Sequence, residues 1–144
     1  MGYADEPLDE AKLFHEGLHL FNDAEWFEAH EVWEDVWRLT TGPRKRFYQG
    51  LIQCAVTIEH VRRGNPRGVL NVFGTAVTKF EGLDNPYLGV DWRRLTTEIE
   101  AFIAPIRTMP EEMFEPRLGR GLPMPVDLAT APKIELVEDP FAAA

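Results

Sequence analysis

The sequence is poor in the residues on which several common kinds of site depend. Cys54 is the single cysteine among 144 residues, so neither an intramolecular disulfide nor a cysteine-rich zinc site can form within one chain. Serine is absent altogether, which excludes a serine nucleophile. No apolar run approaches the roughly 20 residues that a membrane-spanning helix needs. The sequence therefore argues against disulfide-stabilised domains, serine hydrolases and membrane-spanning proteins.

Positive charge is also scarce. The chain has 15 Lys and Arg against 24 Asp and Glu, and its formal net charge is −9. Such a charge repels nucleic acids and anionic membranes, so we expect neither as a partner. The first residues are acidic and lack an apolar segment, which predicts that no signal peptide is present. On these grounds we expect a cytoplasmic protein.

Apolar residues recur at helical spacing along the first 106 residues, which indicates one helical bundle domain. The pattern predicts helices over residues 8–22, 24–39 and 44–63, with Asp23 as the N-cap of the second. A fourth helix begins at Pro66, and a fifth follows an N-cap at Asp91. We therefore predict an all-α fold: a compact bundle of about five helices, made of two antiparallel helical hairpins plus one helix.

Residues 107–144 differ in character from this bundle. Seven of the 11 prolines lie between Pro105 and Pro140, which rules out long helices there. Residues 133–138 alternate like a strand, but nothing else in the sequence supplies a partner strand. The apolar residues among the prolines are untypical of a disordered tail. We expect an extended Pro-rich tail that packs on the bundle or on a neighbouring subunit.

Two polar residues of the second helix, His30 and Glu34, lie at the margin of its apolar face and one turn apart. In the same helix Glu28, Glu31 and Asp35 fall on a face that we expect to be solvated. The third helix carries a single polar stripe on an otherwise apolar surface, formed by Gln49, Gln53 and His60. A short break joins the two helices, so an antiparallel register is expected to set Glu34 beside Gln49 and His30 beside Gln53. His60 is expected two turns further on, near Asn22 and Asp23.

This arrangement has two interpretations. An imidazole and a carboxylate at positions i and i+4 suit a divalent ion such as zinc, manganese or iron, with Gln49 or Gln53 assisting. Alternatively, the four side chains form a buried hydrogen-bond network that satisfies otherwise costly polar groups. The residues alone leave both interpretations open, because only His30 and Glu34 are good metal ligands. Cys54 is predicted to be a core thiol.

A longer stretch around these residues resembles a known family. It comprises residues 21–37 (FNDAEWFEAHEVWEDVW), followed by Phe47-Tyr48-Gln49-Gly50-Leu51-Ile52-Gln53 and by Gly64-Asn65. In this it is similar to the bacterial and archaeal family catalogued as domain of unknown function 309, whose H-x-x-x-E-x-x-(W/Y) motif is matched by His30, Glu34 and Trp37. The resemblance covers roughly residues 10–80. The resemblance implies a helical fold and a motif for which metal binding has been suggested. It implies no particular activity.

Two functions from different classes follow. The first is a metal-binding helical protein with its site between the second and third helices, at His30 and Glu34, supported by Trp37, Gln49, Gln53 and His60. The second is a tetratricopeptide-like interaction module without metal, which binds an unknown protein partner or a second copy of the chain. Self-association would use the tail or the aromatic helix face that Trp26, Trp33 and Trp37 form. Whether the protein is an enzyme stays open.

Overall fold

Five α-helices follow one another along the part of the chain that the structure, a computed structural model, describes: residues 9–115, 118 and 120–142. They are α1 (Glu10–Asn22), α2 (Trp26–Leu39), α3 (Gly42–Arg62), α4 (Pro66–Phe80) and α5 (Trp92–Arg107). The described residues contain no β-strand, only an isolated bridge between Tyr87 and Val90. The predicted all-α fold is confirmed. The predicted start of the first helix at residue 8 lies outside the described residues.

Side-chain caps fix the beginnings of three helices. The carboxylate of Asp9, the amide oxygen of Asn65 and the carboxylate of Asp91 each accept a backbone N–H three residues on, at 3.0 Å. The beginning of α2 differs from the prediction. Asp23 ends α1 instead, donating its own N–H to the His19 carbonyl (2.9 Å), and Ala24 takes a positive φ of 66° before α2. The predicted N-cap at Asp23 is therefore wrong.

Helices α1 to α4 pack in chain order, each against the next, as two antiparallel hairpins. Two close approaches of a ring to a glycine hold this packing together. The Trp33 indole lies directly over Gly17, where a Cβ atom would overlap it, and its Nε1–H donates to the Phe14 carbonyl (3.3 Å). The Phe80 ring of α4 lies in the same way over Gly50 of α3. Both rings are fully buried, so these contacts lie inside the core.

Helix α5 contacts α4 and buries one apolar face, formed by Leu95, Ile99, Phe102, Ile103 and Ile106. It passes through Pro105 and ends at Arg107, because a proline within the last turn removes one hydrogen bond without preventing that turn. None of the described helices is long and apolar enough to cross a membrane.

The tail lies across the helices of its own chain. Two short 3-10 helices, Glu111–Phe114 and Leu128–Thr130, interrupt an otherwise irregular path. Gly121 and Leu122 donate their N–H groups to the carbonyls of Arg63 and Gly64, at 2.8 and 3.1 Å. Further on, Ile134 is buried against the bundle. The strand-like residues 133–138 form no strand in the described structure.

A cavity of about 650 Å³ separates α5 from part of the tail. Its walls combine apolar side chains of both segments with charged groups at the rim; among them are Leu95, Ala101, Phe102, Val126, Lys133 and Glu135. The tail therefore covers α5 without filling the space against it.

Candidate functional site

Helix α2 has the faces that its sequence predicts. Trp26, Ala29, Trp33 and Val36 are buried, and the carboxylates of Glu28, Glu31 and Asp35 are exposed; this confirms the expected solvated face. His30 and Glu34 lie between the two faces. Their side chains are 17% and 38% exposed, so both reach solvent from the edge of the core.

The His30 imidazole is held by its own helix. Its Nδ1 donates to the carbonyl oxygen of Phe27, and the Phe27 ring packs edge-on against it with centroids 4.8 Å apart. The other ring nitrogen, Nε2, lies 3.9 Å from Oε1 of Glu34. That carboxylate oxygen also lies 3.9 Å from the Arg38 guanidinium. We refer to His30 and Glu34 together as the His–Glu pair.

These contacts determine which nitrogen carries the proton. A carbonyl oxygen can only accept, so Nδ1 of His30 must be protonated. In the neutral imidazole Nε2 then has a free lone pair, and it faces a carboxylate oxygen. Two electron-rich atoms in this position are stabilised by a cation shared between them. Such a cation would be additional to the Arg38 guanidinium, which lies 3.9 Å from the same carboxylate oxygen.

The glutamines of α3 do not join the pair in the way the sequence suggests. Gln49 is half-buried, and the Oε1 atom of Gln53 is buried and has no hydrogen-bond partner among the described residues. Neither glutamine forms a hydrogen bond with His30 or Glu34 within that part of the chain. The hydrogen-bond network that is the alternative to a metal site is therefore absent among the described residues, where the polar atoms of the pair contact Phe27, Arg38 and each other within α2.

Trp37, the third residue of the motif, is half-buried at the other end of α2. The Lys45 ammonium lies 4.3 Å from the centre of its ring. Its indole Nε1 is buried and, among the described residues, has no hydrogen-bond partner. The same holds for Nε1 of Trp26.

His60 takes part in a different contact from the one predicted. Its Nδ1 accepts a hydrogen bond from the Asn65 amide (3.3 Å), and Gly68 of α4 lies close to its ring. Burial, with the nearby Arg63 charge, lowers the pKa of His60 below its ordinary value. His60 thus belongs to the turn between α3 and α4. The expected position beside Asn22 and Asp23 is not supported by these contacts.

The described residues place no third strong ligand beside the His–Glu pair. No group of three or more His, Cys, Asp or Glu side chains able to hold a metal ion occurs in that part of the structure. Cys54 is a buried core thiol, as predicted, and burial raises its pKa to about 12. An ion bound at the pair would therefore have two protein ligands and open positions for water or an added ligand.

Sequence reasoning missed one charged cluster close to the pair. The Glu59 carboxylate of α3 is buried and accepts hydrogen bonds from Arg62 and Arg63. Burial alone would raise the pKa of Glu59, but these hydrogen bonds outweigh it and lower that pKa. The Arg63 guanidinium also lies 5.2 Å from the centre of the Phe27 ring, whose carbonyl binds His30. The spacing of Glu59 three and four residues before two arginines is the signal that could have revealed it.

Known proteins resemble this chain in sequence and in structure. Residues 14–72 match the family described as a domain of unknown function (DUF309). An uncharacterized protein of Aquifex aeolicus (strain VF5) is 28% identical over 92 residues, 63% of this chain and 28% of that protein. Uncharacterized protein YpuF of Bacillus subtilis (strain 168) is 30% identical over 88 residues, 59% of this chain and 51% of that protein. The chain thus matches about half or less of the length of these curated relatives.

A solved structure shows the same fold. The crystal structure of a conserved hypothetical protein from Thermus thermophilus has 35% sequence identity and a TM-score of 0.58. The match covers 63% of this chain and 95% of that one. The matched family residues include the His–Glu pair, Trp37 and both glutamines of α3. Residues 14–72, less than half of the chain, therefore resemble the family described as a domain of unknown function (DUF309).

Proposed function

We propose that the His–Glu pair binds a divalent metal ion, of which zinc, manganese and iron are the candidates. The observation that carries this proposal is the orientation of His30. Its Nδ1–H is donated to a backbone carbonyl, an arrangement typical of histidine ligands, and its Nε2 faces the Glu34 carboxylate at 3.9 Å. The partial exposure of both side chains leaves a path for the ion from solvent.

The number of ligands sets the character of such a site. Two protein ligands with open positions suit an ion that binds a further small ligand or is held reversibly, whereas structural zinc sites have four protein ligands. The Arg38 guanidinium beside Glu34 competes for the carboxylate and would lower affinity. We therefore propose an open, exchangeable site.

Elemental analysis and calorimetric titration of the untagged full chain with Zn²⁺, Mn²⁺ and, without oxygen, Fe²⁺ test this proposal. We expect one ion per chain for at least one metal, and a melting temperature that rises with that metal and falls with a chelator. His30→Ala and Glu34→Gln should each weaken binding at least about tenfold, which is ~1.4 kcal/mol.

Glu31→Gln is the matched control, because Glu31 is exposed on the same helix and lies outside the pair. It should leave metal binding unchanged. If no metal binds the wild-type chain, or if Glu31→Gln weakens binding as much as Glu34→Gln, the proposal is wrong.

A specific observation favours a second candidate function, the interaction module without metal. The two antiparallel hairpins already hold one extended polypeptide segment, the tail, on their surface through hydrogen bonds to its backbone. A helical scaffold that binds an extended segment in this way has the properties of a peptide-recognition domain. This candidate is independent of the His–Glu pair, since none of the tail contacts named above involves His30 or Glu34.

A further inference from the structure

Residues 131–142 of the tail are held by a small set of residues that we call the tail-docking surface: Phe14, His15 and Asn22 of α1, and Gly89 of the loop between α4 and α5. Gly89 accepts the N–H of Val137 through its carbonyl (2.9 Å). The four residues are far from the docked segment in sequence, by 112 residues in the case of Asn22 and Ile134.

Asn22 makes the central contact of this surface. Its side-chain Nδ2 donates to the carbonyl of Ile134 (2.9 Å), and its Oδ1 accepts the N–H of the same residue (2.7 Å). One amide thus satisfies both backbone groups of one residue, whatever side chain that residue has. The Ile134 side chain is 6% exposed, so an aliphatic group is buried at the same point. Buried backbone N–H and carbonyl groups need hydrogen-bond partners, and the Asn22 amide supplies both for Ile134.

His15 and Phe14 contact side chains further along the segment. Nδ1 of His15 lies 2.6 Å from the Ala11 carbonyl, and Nε2 lies 3.0 Å from the Asp139 carboxylate. Both partners are acceptors for a ring N–H. The Phe141 ring packs against the rings of Phe14 and His15, with centroids 5.5 and 6.0 Å away.

We propose that the tail-docking surface is a binding site for an extended segment of another protein, with an aliphatic residue followed by an acidic residue five positions later and an aromatic residue seven positions later. The tail shows this chemistry at Ile134, Asp139 and Phe141 and occupies the site in its own chain. It therefore competes with the partner. This inference deepens the second candidate function and does not depend on metal binding.

Two observations separate the segment from the fold that it lies on. Residues 131–142 form neither helix nor strand, and their described backbone contacts with the helical part are those to Asn22 and Gly89. The family match covers residues 14–72, so the segment lies outside it. A segment of this kind is recognised through its backbone and a few side chains, whichever chain supplies it.

The experiment keeps the whole chain present. A site-specific protease sequence is inserted after Thr130, and the purified full-length protein is cut there, which leaves the tail bound without a covalent link. A fluorescent synthetic peptide of residues 131–142 is then added, and its anisotropy is measured with the cut and the uncut protein. We expect saturable binding to the cut protein and binding at least about tenfold weaker to the uncut protein, because the attached tail competes.

Variants of the cut protein identify the surface. Asn22→Ala should weaken peptide binding at least about tenfold, because two hydrogen bonds are lost. Glu16→Ala, at an exposed position on the same helix, should leave binding unchanged. A peptide with Asp139→Asn should bind more weakly than the parent peptide.

Several results would overturn the proposal. They are a cut protein that does not bind the peptide, equal binding by Asn22→Ala and the parent protein, and loss of helical circular dichroism when the cut tail is displaced. The last result would show that the tail is part of the core. A stable dimer of intact chains that exchange tails would also overturn it, in favour of a second copy as the occupant. A failed metal titration has no bearing on any of these results.

Discussion

Helices α1–α4 and the segment formed by α5 and the tail are ordered in different ways. Within α1–α4, two aromatic rings pack directly against glycines, Trp33 against Gly17 and Phe80 against Gly50. Neighbouring helices therefore approach closely. The tail is held at separate points by backbone hydrogen bonds and by a few side chains such as Ile134 and Phe141, and a cavity of about 650 Å³ remains between it and α5. Close packing tolerates little change in volume, whereas an open, hydrogen-bonded contact can be released and formed again.

The two regions also differ in how much of each the family match covers. Residues 14–72 lie within α1–α4 and contain the His–Glu pair, whereas the cavity and the docked segment lie mostly outside them. The two proposed functions follow the same division. The proposed metal site would use the closely packed helices as a rigid support, and the proposed peptide site would use a contact that can open.

The largest effect is expected from a methyl group added between α1 and α2. Gly17→Ala places a Cβ in the space of the Trp33 indole, and we expect it to lower the free energy of unfolding by about 3 kcal/mol. Gly74→Ala is the matched control on α4, where nothing lies within 4 Å of the added atom. It should be neutral or stabilising by up to ~1 kcal/mol. Urea unfolding followed by circular dichroism measures both, and equal stability of the two variants would contradict the account.

A smaller effect is expected where the cavity gives space. Ala101 of α5 is exposed and lines the cavity, so Ala101→Leu should change the free energy of unfolding by less than about 0.5 kcal/mol. Ala76→Leu, the same change at a fully buried position of α4, should destabilise by about 1–3 kcal/mol. Urea unfolding of the pair compares the two regions directly. Similar losses for both variants would show that α5 is packed as closely as α1–α4.

Much of the helical fold could be predicted from sequence, because local signals determine it. Asn65 before Pro66 and Asp91 before Trp92 are recognisable caps, and both cap their helices in the structure. The turn before α2 was not predictable in the same way, since α2 begins after Glu25 without a side-chain cap. Ala24 in that turn adopts a positive φ of 66°, which its side chain does not favour.

The candidate site was predicted in its position but not in its contacts. A helical wheel places His30 and Glu34 at the margin of α2, where the structure also has them. It does not reveal that Nδ1 of His30 turns back to the Phe27 carbonyl, because the choice of rotamer depends on packing with neighbouring residues. The path of the tail was beyond sequence reasoning. Its contacts with His15 and Asn22 join residues more than a hundred positions apart.

Native-state hydrogen exchange of the intact chain tests most directly whether the tail is a releasable segment on a closely packed helical domain. The amides of Ile134 and Val137 should exchange through a local opening, at least about a hundredfold faster than the buried amides of Leu51 and Ile58 in α3. Asn22→Ala should accelerate exchange at Ile134 and leave Leu51 and Ile58 unchanged. Exchange of all four amides with the same free energy, equal to that of global unfolding, would contradict the account, since the tail and the helices would then open together.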